Sequence, residues 1–169
     1  MIYTFRARLL CVAIVCGISV TAYSVTIHVP ADQPTIQAGI DSAADGDTVM
    51  LSPGTYTGAG NHSIDFAGKK IALLGEQGRD STIIDLSADS SSLRRAFVFR
   101  SGEDTLTRVV GLTVTGGYGP RDGPDTASVG GAFVCDSAGP LIENCRFTAC
   151  RAWHGGAGYL TRSWAIIRG

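Results

Sequence analysis

Two hydrophobic periods follow one another along this chain. Residues 25–29 (Val-Thr-Ile-His-Val) alternate apolar and polar side chains, the period of a half-buried strand, and Pro30 ends the run. Ile36, Ile40 and Ala43 then fall at i, i+4 and i+7, which gives one apolar stripe on a short helix between Pro34 and Ala44. Asp32 or Thr35 is placed to cap that helix, Pro34 suits a first turn, and Asp45-Gly46 stops it. Gly39 in its middle costs about 1 kcal/mol relative to alanine. A helix this short is marginal alone, so its stripe must dock on an apolar surface.

After the helix the pattern is short strands only. Residues 48–51, 64–66, 71–74, 82–86, 96–100 and 107–114 read as strands. Turn signals such as Ser52-Pro53-Gly54 and Gly75-Glu76-Gln77-Gly78 separate them. Internal repeats follow. Gly130-Gly131-Ala132-Phe133-Val134 recurs as Gly155-Gly156-Ala157-Gly158-Tyr159 at an offset of 25, and Leu141-Ile142 recurs as Ile166-Ile167 at the same offset. A looser match sets residues 111–115 against 144–148, an offset of 33. Periods of this size indicate a solenoid. Short strands joined by Gly-rich turns make it a β-helix, each rung burying its inward side chains against the next. Alternation sends Leu112, Val114, Cys145 and Phe147 one way and Thr113, Thr115 and Arg146 the other. The predicted fold is therefore all-β, a β-solenoid whose exposed N-terminal end is plugged by the amphipathic helix. The chain stops at Gly169 inside a repeat with no second capping pattern, so residues 25–169 are expected to be the cap and first rungs of a longer polypeptide.

Composition adds an address. Arg6 and Arg8 precede an apolar run of about a dozen residues, the length of a signal-peptide core, and Ala22-Tyr23-Ser24 offers small residues at the two positions a leader peptidase reads. A membrane span needs roughly 20 apolar residues, so residues 1–24 are expected to be a cleaved signal peptide and the mature chain to be exported, to the exterior or the cell surface. Export permits disulfides. Of the five cysteines, Cys11 and Cys16 leave with the leader, while Cys135, Cys145 and Cys150 remain. Cys145 and Cys150 could pair across a turn, or the thiols could stack inward as small apolar groups. The 14 basic residues lose Arg6 and Arg8 with the leader against an unchanged 15 acidic ones, and no basic cluster exists, which argues against nucleic acid as a partner.

Residues 34–40, Gly46-Asp47-Thr48-Val49, Pro53-Gly54-Thr55-Tyr56 and Lys70-Ile71-Ala72-Leu73-Leu74-Gly75 together resemble the N-terminal lead-in of right-handed parallel β-helix proteins of the pectin-lyase-like superfamily. The Gly-Gly-Ala units followed by Asn144-Cys145-Arg146-Phe147-Thr148 are similar to repeats of bacterial surface and outer-membrane β-helix proteins. The resemblance implies a single-stranded, right-handed coil, the hand that parallel crossovers favour generally. It implies no one activity, since that superfamily holds lyases, hydrolases, esterases and adhesins. Pectinesterases carry catalytic Gln and Asp on the rungs corresponding to residues 130–150, where this chain has no Gln and only Asp136.

Chemistry-bearing residues are sparse. Arg121, Asp122 and Asp125 lie in a Gly/Pro-rich insertion, Gly116-Gly117-Tyr118-Gly119-Pro120-Arg121-Asp122-Gly123-Pro124-Asp125, of the kind that binds ligands on a rigid scaffold. Trp153, within Arg151-Ala152-Trp153-His154, is placed to stack on a sugar ring. His28, His62 and His154 have no ligand spacing, so no zinc site is expected. Ca²⁺ use, known in the lyases, would need more than Asp45-Gly46-Asp47, which reads as a helix-to-strand turn. No catalytic set and no cofactor are expected in these residues. The expected role is binding or structural, with a polysaccharide or another surface protein as partner. The competing expectation is a polysaccharide-active enzyme with its active site beyond Gly169.

Overall fold

The structure is a computed structural model that describes residues 24–122 and 127–169. The leader with Cys11 and Cys16, and Asp125 of the insertion, lie outside the described residues. The protein is mostly β, built from parallel sheets, with one short helix among the described residues. No described helix is long and apolar enough to cross a membrane.

Strand β1 (Thr26–Val29) leads into helix α1 (Ile36–Ser42). Thr35 is its N-cap, accepting a hydrogen bond from the Ala38 amide at 3.2 Å. Asp32 instead accepts from the His28 amide at 2.7 Å and closes the preceding turn. The predicted stripe is real: Ile36, Ile40 and Ala43 are all buried. Gly39 faces the same way, and a Cβ there would meet Val49 Cγ1 at 2.9 Å and Val29 Cγ2 at 3.0 Å. Its propensity cost is thus the condition for close docking on the first strands. At the other end, Lys69 Nζ donates to the carbonyls of Ile40, Asp41 and Ala43 at 2.9, 2.9 and 3.0 Å. These are carbonyls that a helix C-terminus leaves unpaired.

The remaining strands rotate among three sheets. β2 (Thr48–Leu51), β3 (Gly54–Tyr56) and β4 (Ile64–Asp65) make the first circuit. β5 (Ala72–Gly75), β6 (Thr82–Asp85) and β7 (Phe97–Phe99) make the second. β8 (Arg108–Val110), β9 (Thr113–Thr115) and β10 (Phe133–Asp136) make the third, and β11 (Leu141–Glu143), β12 (Arg146–Thr148) and β13 (Gly158–Thr161) the fourth; β14 (Ile166–Arg168) returns to the first sheet. The sheets run β1-β2-β5-β8-β11-β14, β3-β6-β9-β12 and β4-β7-β10-β13. The repeat offsets read from the sequence are the registers: Leu141 pairs with Ile166, Phe133 with Gly158, and Thr113 with Arg146, all parallel.

Residues 107–114 are not one strand, as the alternation had suggested. The chain bends between β8 and β9 at Gly111, whose φ is +70°. Its neighbour in the preceding circuit, Gly75, has no room for a Cβ because the Gly111 carbonyl oxygen would touch it. One circuit later the bend residue is Asn144, the residue type that best tolerates φ > 0 after glycine.

The core is a set of aligned columns. Ile27, Val49, Leu73, Val109, Ile142 and Ile167 stand in register across the first sheet. Tyr56, Ile84, Val114 and Phe147 do so across the second, and Ile64, Phe97 and Phe133 across the third. Phe99 stacks on Phe66 with ring centroids 5.3 Å apart and lies 6.1 Å from Phe97. Phe99→Ala should remove about 3–5 kcal/mol of stability, as other buried Phe truncations do. A urea midpoint lowered with unchanged slope is the expected reading.

Candidate functional site

Two long excursions leave the strand pattern, one between β6 and β7 and one between β9 and β10. They meet through an antiparallel bridge between Arg94 and Tyr118. The following circuit passes over them, and Tyr118 pairs with Arg151 and Val129 with His154 in parallel. An open cleft of about 630 Å³ forms there. Its walls include Tyr118, Arg121, Ser128, Arg151, Trp153 and His154.

Backbone bonds fix this wall. Arg151 N donates to Gly117 O at 2.8 Å and Gly119 N to Arg151 O at 2.9 Å. Trp153 N donates to Ser128 Oγ at 2.8 Å, His154 N to Ser128 O at 3.0 Å and Gly130 N to His154 O at 3.1 Å. Held by that frame, the Trp153 indole is 81% exposed, the most exposed large apolar side chain among the described residues. Arg121 and Arg151 line the same cleft, and no carboxylate does so among the described residues. The cleft can therefore offer an aromatic face and planar, multidentate donors.

Asp122 is placed elsewhere. Its carboxylate takes both terminal nitrogens of Arg95, at 3.0 and 2.6 Å, and Arg100 at 2.7 Å. Arg95 is 1% exposed and also donates to Val129 O at 2.8 Å, so it ties the root of the insertion to β7. Burial pulls the Asp122 pKa upward, but the hydrogen bonds and charges of Arg95 and Arg100 outweigh it and hold the carboxyl below its usual range. Beside this clamp a smaller cleft of about 200 Å³ runs along β10 and β13. Its charges are paired: Arg100 with Asp122, and Arg162 with Asp136 at 2.7 Å.

Of the predicted site residues, Arg121 and Trp153 thus share one cleft, Asp122 is an internal clamp, and Asp125 lies outside the described residues. Tyr118 and Ser128 join the cleft without having been singled out. The offset of 25 that aligns the Gly-Gly pairs also places Ser128 under Trp153, so this signal was in the sequence. Arg95 gave none, because it sits in a polar stretch without period.

Cys135, Cys145 and Cys150 are free thiols. Strand β12 lies between Cys145 and Cys150, and three extended residues separate them by roughly 10 Å of chain, beyond the Cα spacing a disulfide spans. The two sulfurs lie against different carbonyls of the preceding circuit, Cys145 against Val109 and Cys150 against Val114. Burial, with the charge of Glu103 adding to it, pushes the Cys135 thiol up to about 12. Asp45 and Asp47, in the helix-to-strand turn, both accept backbone amides, from Lys70 and from Val25 and Ala44 respectively. Among the described residues no group of three or more His, Cys, Asp or Glu is arranged to hold a metal ion.

No family model, curated protein or solved structure matches this chain.

Asp122→Asn should destabilise the protein at pH 7 by about 2 kcal/mol, less than the roughly 3–5 of a fully buried pair, because Asp122 is 34% exposed to solvent. Folding lowers this pKa, so its contribution is present above the unfolded value of about 3.9 and is lost as pH falls through the folded one. The gap between wild type and variant in urea titrations should therefore narrow below about pH 4. Separately, Cys135 should resist iodoacetamide at pH 8 in the native state and react after unfolding, as peptide mass mapping would show.

Proposed function

We propose that this chain is an exported parallel β-helix, similar to pectin-lyase-like proteins, and that it binds a saccharide chain in the cleft under Trp153. The rotation of strands among three parallel sheets supports the β-helix, and the leader-like residues 1–24 support export. The observation that carries the binding role is Trp153 itself. A hydrogen-bonded backbone holds its side chain in solvent within a concave surface that Arg121 and Arg151 also line. Covering that ring with the apolar face of a pyranose removes its exposed surface from water, a gain of roughly 25 cal/mol per Å². Arg121 and Arg151 would then hydrogen-bond hydroxyl or carboxylate oxygens at the rim.

A glycan array probed with the mature protein, followed by titration calorimetry on the best glycan, tests this. Trp153→Ala should weaken binding by about 2 kcal/mol, the size of a tryptophan hot spot, or roughly thirtyfold. Its urea midpoint should be unchanged, because the ring is exposed. Absence of any glycan binding by the wild type, or equal affinity in the variant, overturns the saccharide role.

A further inference from the structure

Asp47 is a buried carboxylate in an unusual setting. It is 8% exposed, in the turn between α1 and β2. Its Oδ2 accepts from the Ala44 amide at 2.8 Å and its Oδ1 from the Val25 nitrogen at 2.8 Å. It takes part in none of the side-chain ion pairs among the described residues: Lys70 is engaged with Asp104, and Lys69 with the carbonyls at the end of α1. Buried carboxylates ordinarily sit with a cation. Around Asp47 the chain is closely held, with Thr48 N donating to Val25 O at 2.9 Å. The amides of Val25 and then of Ala44 hold the Asp47 carboxyl below its usual range, so it is ionised at neutral pH.

The geometry points to Ser24–Val25 as the bond cut during export and to Asp47 as the receptor for the α-ammonium freed there. This rests on the export reading above. A leader peptidase adds water across the bond. The hydroxyl goes to the Ser24 carbonyl carbon, which departs as a carboxylate on the leader. The Val25 nitrogen keeps the electron pair of the broken bond, gains a proton, and at neutral pH becomes an ammonium. That nitrogen already lies 2.8 Å from Asp47 Oδ1, so folding of the cut chain converts an amide contact into a charge-assisted one. Cutting one bond earlier or later would leave the Val25 amide neutral or remove it. The position of cleavage and the placement of Asp47 are thus one device, which holds β1 against β2 more strongly in the processed protein. Other charged groups near the turn are Asp45, whose Oδ1 accepts from Lys70 N at 3.0 Å, Asp41 and Lys69 at the end of α1, and His28 on β1. An ammonium gaining this partner has a raised pKa, so its stabilisation is full below the ordinary value of about 8. It is lost as pH rises through the raised one.

The full chain with its own leader, expressed in an exporting host, tests this. Intact-mass analysis of the exported protein should give Val25 as the first residue. Acetylation of its α-amine across pH should report a pKa at least one unit above about 8, hence roughly tenfold slower labelling at neutral pH. Asp47→Asn should return labelling to the ordinary rate; if that variant does not fold, the wild-type titration decides alone. An exported protein starting elsewhere, or a Val25 amine with an ordinary pKa, overturns the inference and leaves export standing. A chain retained with its leader uncut overturns the export reading as well.

Discussion

Everything in this protein depends on like side chains meeting in register from one circuit to the next. The column Val49, Leu73, Val109, Ile142 is almost wholly buried because each residue is covered by the equivalent residue of the adjacent strand. A parallel ladder permits this stacking only if every circuit re-enters each sheet at the same position. The corners enforce it. Gly111 and Asn144 both turn with positive φ at matching places, and Gly75 lets the Gly111 carbonyl approach closely. Among the described residues the column runs from Ile27, beside α1, to Ile167, which is 51% exposed.

The regular circuits explain why the cleft is where it is. Strands are short and their registers fixed, so extra residues have to leave the sheets at the corners. Two such excursions bridge at Arg94 and Tyr118, and the next circuit runs over both. The cleft is the space left between them. Arg95 and Asp122 tie the root of the insertion to the start of β7. Arg121, one residue earlier, lines the cleft wall. The rigidity that presents Trp153 to solvent is thus inherited from the ladder through Ser128 and Gly130.

Much of the architecture was legible because it is periodic. Ile36, Ile40 and Ala43 announced a docked helix, and the offsets of 25 and 33 were the pairing registers themselves. What was not legible is what periodicity does not encode. Residues 107–114 read as one strand, yet Gly111 turns a corner there, and the inward positions shift from Thr107 and Val109 to Leu112 and Val114 across it. Arg95 reads as one charge in a polar loop; only the fold brings Asp122, 27 residues away, to its guanidinium. For the same reason two site residues that looked equivalent, Arg121 and Asp122, have different roles. The spacing of Cys145 and Cys150 allowed a bridge on paper, and the strand between them excludes it.

Native-state hydrogen exchange tests the stacked ladder most directly. If each circuit is stabilised chiefly by the circuits on either side, protection must be greatest in strands that have a ladder partner on both sides. The amides of Leu73 and Val109, in such strands, should exchange slowest, and that of Ile167 in β14, which pairs with β11 alone among the described strands, markedly faster. Equal protection of Val109 and Ile167, or slowest exchange in β14, would contradict this account of how the protein is held together.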